Sequence, residues 1–456
     1  MKFNIMKFSS SALKNGGYIK AAEIMIKRSK DMKVLGVISS IKGSVELLNE
    51  ASILAAEGKL NEAESKVDEL YKIYLEEVNI AKARYNTNVE NKLLNLKRQL
   101  TDFLSTISVL GEITPSIKDR VVSYAEFFSL ETLKITAESL GADVDARSGG
   151  DWGIVTDDEY GSASPLLNSS YQIINNRIND LSKENIILVS GGLTGKTREG
   201  KVTYMGKGSA DMVAATFVVS LNSSNLEVWS NVDGLMTADP RFIPSAKPIS
   251  RLSYKEAREL LAFNSELFSP VSLDLLSRRN VTLNIKNINN QDSSGTIVTH
   301  DSQISPNVAK AVAYIDQISI ITLEGVNIQK LIPRILSRMI DHNIEIRMMS
   351  LSTSATEFNI IVPSNLLNKC KSIIEFEFLG KDVDDYHVVN NACAISIVGE
   401  GMKGTPGVAA KLFNSVAKNS INVLMITQGS SELNIGFVVD SSSCIKALMA
   451  VHSEFI

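Results

Sequence analysis

Cysteine and histidine are scarce in this chain of 456 residues. The three cysteines, Cys370, Cys393 and Cys444, stand far apart and without CxxC spacing, which predicts buried thiols and neither a disulfide framework nor a zinc site. The four histidines, His300, His342, His387 and His452, are equally scattered, so chemistry centred on histidine is not expected. Long apolar runs are missing as well: none approaches the ~18 residues of a membrane span. The start, MKFNIMKFSSSALK, lacks the apolar core and small-residue cleavage site of a signal peptide, and a cytoplasmic protein without a membrane partner is expected. Nor is there an excess of positive charge. A formal net charge of -4 with 21% charged residues gives no general attraction to nucleic acid, so no nucleic-acid partner is expected and any basic site has to be local.

What remains is an ordinary globular composition, 44% hydrophobic, over a length that calls for two or three domains. The most informative stretch is 187–241, which contains ILVSGG, GKGSAD and WSNVDGLMTADPR in that order. Two apolar runs, 186–190 and 226–229, each end in a loop bearing glycine or acid, the pattern of buried parallel strands whose carboxyl ends carry chemistry. Between them, Gly206-Lys207-Gly208-Ser209-Ala210-Asp211 leads into 212–221, apolar and free of Gly and Pro. This predicts a helix whose small-residue start turns backbone N–H groups toward an anion. A Walker loop is rejected, because Ser190 stands where GxxxxGK[ST] demands a glycine before Gly195-Lys196-Thr197.

Upstream, residues 4–8 read as a strand that carries Lys7 to its end, followed by Ser9-Ser10-Ser11. A helix at 18–28 and a strand at 34–38 follow, the latter ending in Ser39-Ser40-Ile41-Lys42-Gly43. Small residues at both strand ends place a ligand above a parallel sheet. From 47 to 104 the chain has no proline and sets Leu70, Ile73, Tyr74 and Val78 at helical spacing, a helical excursion covering one side of the site with its charges on a solvated face. Helices are predicted at 124–140, 257–263 and 270–279, and a last strand at 281–285. The alternation predicts an α/β domain with a mainly parallel central sheet flanked by helices. Beyond about residue 305 the order β-α-β-β occurs at 318–362 and again at 394–439, the second time closed by a helix at 443–452. That is a ferredoxin-like βαββαβ unit used twice.

Taken together, these tracts resemble the aspartokinases of the amino-acid kinase family. KFSSSAL is similar to that family's KFGG[TS]S, and SSIKGSVELL to its SAxxGxTDLL. YAEFFS stands where GERLS is usual, keeping Glu126, and IVTDD is similar to ITDD. GKGSAD and WSNVDGLMTADPR resemble GRGGSD and WTDVDGVYTADPR. The stretch SIVGEGMKGTPGVAAKLFNSVAKNSINVLMITQGSSELNIGFVVD matches the regulatory ACT repeat almost throughout. The resemblance implies an amino-acid kinase fold over 1–304, including the excursion at 47–104, then two ferredoxin-like ACT domains at 305–385 and 386–456.

It also implies an activity: ATP-dependent phosphorylation of L-aspartate to 4-phospho-L-aspartate, the first step toward lysine, threonine and methionine, with Mg2+ bound with the nucleotide and no protein-built metal site. Lys7 and Asp211 match the catalytic pair, and Ser39, Glu126 and Lys207 the aspartate site, Glu126 holding the ammonium and Lys207 the α-carboxylate. Lys7, Ser9, Ser10, Gly191, Gly192, Ser230, Asn231, Asp233, Met236, Asp239 and Arg241 fall at nucleotide-binding positions. An amino-acid effector, lysine or threonine, is expected at Gly404, Thr405, Pro406, Gly407, Asn422 and Gln428, on a homodimer or larger homo-oligomer formed through the ACT domains. No dinucleotide-binding unit follows the repeats, so a fused homoserine dehydrogenase is not expected.

The site also departs from the family pattern. Ser9 and Ser10 replace glycines, Ala125 a glycine, Val45 a substrate-binding threonine, Asn231 an aspartate, Met236 a tyrosine, and Glu266 the lysine of a tract that here reads FNSELFSP. Lys207 replaces an arginine and offers a point charge in place of a planar fork. Two other readings therefore stand beside the active enzyme: a catalytically impaired amino-acid-sensing relative, and a kinase for another small carboxylate acceptor.

Overall fold

FNIMKF, the first strand (β1, Phe3–Phe8), is buried at every position, as a strand covered on both faces must be. The computed structural model describes residues 3–85, 90–181, 186–263, 267–301 and 307–456. After β1 come α1 (Gly17–Ser29), β2 (Lys33–Ile38) and five consecutive helices: α2 (Ser44–Ala56), α3 (Leu60–Tyr85), α4 (Glu90–Leu110), α5 (Pro115–Val122) and α6 (Tyr124–Ser139). The chain continues through β3 (Val144–Arg147), α7 (Gly149–Trp152), α8 (Leu167–Leu181), β4 (Ile187–Gly191), β5 (Thr194–Lys196) and β6 (Val202–Tyr204). Next are α9 (Ser209–Ser220), β7 (Asn225–Ser230), β8 (Arg251–Ser253), α10 (Tyr254–Phe263), α11 (Pro270–Ser277), β9 (Thr282–Asn287) and β10 (Thr296–Thr299).

Eight of these strands form one sheet in the order β3-β4-β2-β1-β7-β9-β10-β8. Every neighbouring pair is parallel except β9 with β10. The expectation of a last strand at 281–285 is corrected. β10 follows β9 and lies against it, because Gly295 turns the chain at φ +65 with its α-carbon so close to the Ile285 carbonyl that a Cβ would meet that oxygen at 2.0 Å. β1 lies where the strand order reverses, with β2 and β4 on one side and β7 and β9 on the other. The carboxyl ends of these strands surround the switch point at which such sheets bind ligands.

The excursion is helical because α3 buries Ala63, Val67, Leu70, Tyr74, Val78 and Ala81 completely along one stripe. Truncating Leu70 to alanine there is expected to cost roughly 2–5 kcal/mol. Its charges pair near the surface, Lys66 with Glu50 and Lys97 with Asp68, each at 2.6 Å. Such exposed pairs are worth about 1 kcal/mol at most.

Two compact units emerge: 1–235 with 250–254 and 264–301, and 236–249 with 255–263 and 302–456. The expected boundary at 304/305 falls outside the described residues. The second unit contains β11 (Ala311–Glu324), α12 (Ile332–Asp341), β12 (Met348–Leu351), β13 (Glu357–Pro363), α13 (Leu367–Glu377), β14 (Asp385–Val398), α14 (Val408–Lys418), β15 (Met425–Thr427), β16 (Asn434–Asp440) and α15 (Cys444–Phe455). Both copies of the repeat thus close with a helix. Their strands make one sheet, β12-β13-β11-β14-β16-β15. β11 and β14, at 14 residues each, run through both copies. Residues 318–324 of β11 pair with β13, whereas 311–315 pair only with the last residues of β14.

The expected thiols at Cys393 and Cys444 are also corrected: the two form a disulfide between β14 and the start of α15. Packing of α15 on the sheet brings Cα atoms that are 51 residues apart to 5.8 Å, a distance a disulfide spans and spacing alone does not reveal. Cys370 is a buried free thiol. Among the described residues no helix is long and apolar enough to cross a membrane.

Candidate active site

Register aligns the ends of four strands. Phe8 lies opposite both Ile38 and Trp229, and Ile38 opposite Gly191. The next residues, Ser9, Ser39, Gly192 and Ser230, therefore line one rim. Their order is fixed by backbone bonds: Ser9 N–H donates to Trp229 O at 2.9 Å, Ser39 N–H to Phe8 O at 3.1 Å, and Gly192 N–H to Ile38 O at 3.0 Å.

Behind this rim Lys7 places its ammonium 2.7 Å from Asp211, both side chains 5% exposed. Lys7 also donates to the Ser9 hydroxyl at 2.9 Å. Asp211 is in the first turn of α9, whose N-cap Gly208 takes the left-handed φ of +81 that a glycine adopts without strain. Its second oxygen accepts Ser269 N–H at 2.8 Å. Burial pushes the Asp211 carboxyl up from its ordinary value, and the Lys7 charge opposes that rise. The pair stores a cation that an arriving phosphoryl group can share, at the mouth of a helix that favours anions.

Glu126, in the first turn of α6, is 1% exposed. Its carboxylate accepts Leu193 N–H at 3.2 Å, Gly149 N–H at 3.4 Å and the Thr194 hydroxyl. Burial pushes its pKa from 4.5 to about 7, against the pull of those donors. Gly191 has to be a glycine, because a Cβ there would lie 1.9 Å from Glu126 Oε1. Gly192 is pressed against α9 in the same way, its Cβ position 2.6 Å from that of Ala210. Lys207 is exposed, and among the described residues it makes no ion pair, so its charge is available to a carboxylate. Ser39 is half-buried, Val45 packs its side chain on the core, and Ser10 lies half-buried beyond Ser9.

Of the nucleotide positions, Asp233 is held by the amides of Asn287 and Asn290 at 3.0 and 3.2 Å, Ser230 bonds Val232 N–H at 3.4 Å, and Asn231 is exposed. Met236, Asp239 and Arg241 belong to the second unit. There Arg241 forks onto Asp239 at 2.6 Å and donates to the Tyr314 hydroxyl at 3.1 Å, while the half-buried Met236 bridges to Pro248. Burial acts to raise the Asp239 carboxyl, but the Arg241 bonds outweigh it and hold it below its ordinary value. Glu266 lies outside the described residues.

The effector positions Gly404, Thr405, Pro406, Gly407, Asn422 and Gln428 are all exposed. Gly404 N–H is already taken by Glu432 at 2.7 Å, and Thr405 bonds Gly401 O at 2.7 Å.

Several contributors were not picked out in the sequence. Thr194 and Leu193 immediately follow the SGG turn, Asn287 ends β9 and Asn290 lies in the turn after it. Ser269 stands before Pro270 as the N-cap of α11, a local signal for a helix start that does not point to Asp211. A cleft of about 630 Å³ lined by Phe127, Lys134, Arg147 and Arg177 includes none of the predicted residues.

Comparison with known proteins agrees with this fold. Residues 2–287 match the amino acid kinase family and residues 395–455 an ACT domain. The chain belongs to the amino acid kinase family. It is 25% identical to the bifunctional aspartokinase/homoserine dehydrogenase of Haemophilus influenzae, over 98% of this chain and 56% of that protein. It is 24% identical to the aspartokinase of Schizosaccharomyces pombe, over 96% of this chain and 87% of that one. The chain spans about half the length of the bifunctional relatives it matches. Its fold is similar to that of E. coli aspartokinase III solved in complex with aspartate and ADP, with a TM-score of 0.82 at 19% identity, over 100% of this chain and 99% of that one.

Proposed function

We propose that this protein is an aspartate kinase, transferring the γ-phosphoryl group of ATP to the side-chain carboxylate of L-aspartate to give 4-phospho-L-aspartate. The observation that carries the reading is the buried Lys7–Asp211 pair at a sheet switch point, in the same unit as the buried carboxylate of Glu126. Phosphoryl transfer asks the protein mainly for position and charge. Lys7 meets the phosphates at the rim that Ser9 and Gly192 line. Glu126 takes the ammonium and Lys207 the α-carboxylate, which leaves the side-chain carboxylate free to attack. Mg2+ is assigned to the nucleotide's phosphates, where it would keep several waters and need one or two carboxylates.

The reading extends to regulation. Lysine or threonine binds the second ACT repeat near 404–407 and Gln428, residues 306–456 join two copies of the chain, and the protein works in the cytoplasm at the head of lysine and threonine synthesis. An E. coli aspartokinase III structure in complex with lysine and aspartate supports lysine as the effector.

A hydroxamate assay for acyl phosphate, with purified protein, Mg-ATP and a panel of amino acids, tests the activity. Product with aspartate alone is expected. Product with a different carboxylate moves the reading to another acceptor. Nucleotide binding without any product ends it in favour of a sensor, the reading that Ser9 at its family glycine position favours, since its hydroxyl takes one of the three Lys7 N–H donors.

A further inference from the structure

The acceptor side of the site is tied together by a hydroxyl from outside the α/β alternation. Tyr74, on α3, is fully buried. Its oxygen accepts Ile41 N–H at 3.2 Å, lies 3.1 Å from the Ser44 hydroxyl, and sends its own proton to Ala125 O at 3.2 Å. With Ser44 donating, both lone pairs and the proton of the phenol are used. Ser129 does the same one turn along α6, donating to Ser39 O at 2.9 Å and lying 2.6 Å from the Tyr18 hydroxyl. The Tyr74 ring is fixed separately, stacked on Phe128 at 5.5 Å and tilted against Tyr18 at 6.5 Å.

A phenylalanine would fill this space equally well. What the hydroxyl adds is directed at two backbones: the 39–44 loop that presents Ser39, and the first turn of α6, where Ala125 directly precedes Glu126. A buried hub with every valence satisfied holds one arrangement and resists others.

We propose that Tyr74 is a positioning residue for the carboxylate acceptor, locking the 39–44 loop to the start of α6 so that Ser39 and Glu126 face the substrate in a fixed relation. The proposal rests on the aspartate-kinase reading. Tyr74→Phe tests it, since the substitution keeps both ring contacts. The KM for aspartate is expected to rise roughly five- to tenfold, the effect of one lost hydrogen bond with a buried N–H left over. The kcat and the KM for ATP should stay within about twofold. Amide exchange across 39–44 should quicken roughly tenfold as the loop opens locally. An unchanged KM for aspartate overturns the proposal, as does a parallel loss of aspartate binding, ATP binding and kcat that tracks a fall in Tm, because that is what a purely structural tyrosine gives. If Tyr74→Phe does not fold, Ser129→Ala removes the bond to Ser39 O together with the contacts to the Tyr18 and Tyr74 hydroxyls, and is read by the same measurements. Failure of the kinase reading is separable: if the wild type makes no acyl phosphate from any acceptor, exchange at 39–44 decides alone. Faster exchange in Tyr74→Phe then supports the locking role, and unchanged exchange overturns it.

Discussion

Lys7 and Asp211 neutralise each other in a buried site, so removing either one has two consequences. Lys7→Ala takes away the cation nearest the transferring phosphoryl group, a loss worth ~3 kcal/mol or more, and turnover in the hydroxamate assay is expected to fall at least about a hundredfold. It also strands the Asp211 carboxylate, so part of the folding stability goes with it. The double variant Lys7→Ala/Asp211→Asn is expected to regain that stability in urea titration without regaining turnover, which separates the two effects. Glu126 gives a pH signature. Its folded pKa near 7 exceeds the ordinary 4.5, so between these values the folded state binds more protons than the unfolded one, and stability falls as pH rises through that window. Glu126→Gln should remove this slope and stabilise the ligand-free protein above pH ~7 by up to about 3 kcal/mol. Aspartate's ammonium needs the ionised carboxylate, so wild-type KM for aspartate should drop as pH is raised from about 6 to about 8. Lys7 and Asp211 stand out in the sequence at a strand end and a helix start, and their roles, like that of Glu126, come from the resemblance of their tracts to the aspartokinase pattern. Ser269 and Thr194 do not stand out as site residues, because they reach Asp211 and Glu126 across 58 and 68 residues.

Among the elements, α10 carries charge into the interior of the second unit. Glu256 is completely buried, bonded to Lys310 at 2.9 Å and to Glu400 N–H at 2.9 Å, and Glu259 on the same helix is bonded to Asn434. Lys310→Ala removes the cation beside this buried carboxylate and should cost roughly 3–5 kcal/mol in urea unfolding. Lys310→Met with Glu256→Gln keeps an acceptor for Glu400 N–H and should recover most of that loss. Periodicity made α10 visible as a helix but gave no hint of these partners, which lie 54 and 144 residues away. The excursion repeats the lesson: helical spacing put Tyr74 on the buried stripe of α3, yet its hydroxyl contacts depend on α6 and β2 being brought together. β11 and β14 were read only as their apolar parts, 318–323 and 394–398, since 385–391 is mostly polar and only half-buried or exposed, the composition of a loop.

At the scale of the whole molecule, the proposed regulation can be checked by calorimetry with each common amino acid. Lysine or threonine is expected to bind at roughly millimolar concentration and Gln428→Ala to weaken binding about tenfold or more, a coupling that requires different affinities for two states. Absence of binding, or indifference to Gln428, would reduce the repeats to an assembly module, and light scattering on the intact protein should still report a dimer or larger. The mainly parallel character of the first sheet and the doubled repeat were legible because parallel strands and ACT-like units leave local patterns. The sharing of β11 and β14 was not, because it arises from pairings between segments about eighty residues apart, Ala311 opposite Val398 among them. That sharing limits how the second unit can be cut or recombined. A gene fusion that transplants only 386–456 takes β14 away from the first copy and strips the partner from 311–315. β11 is then left with an open edge along its whole length, and the orphaned half becomes a template for aggregation in place of a portable sensor.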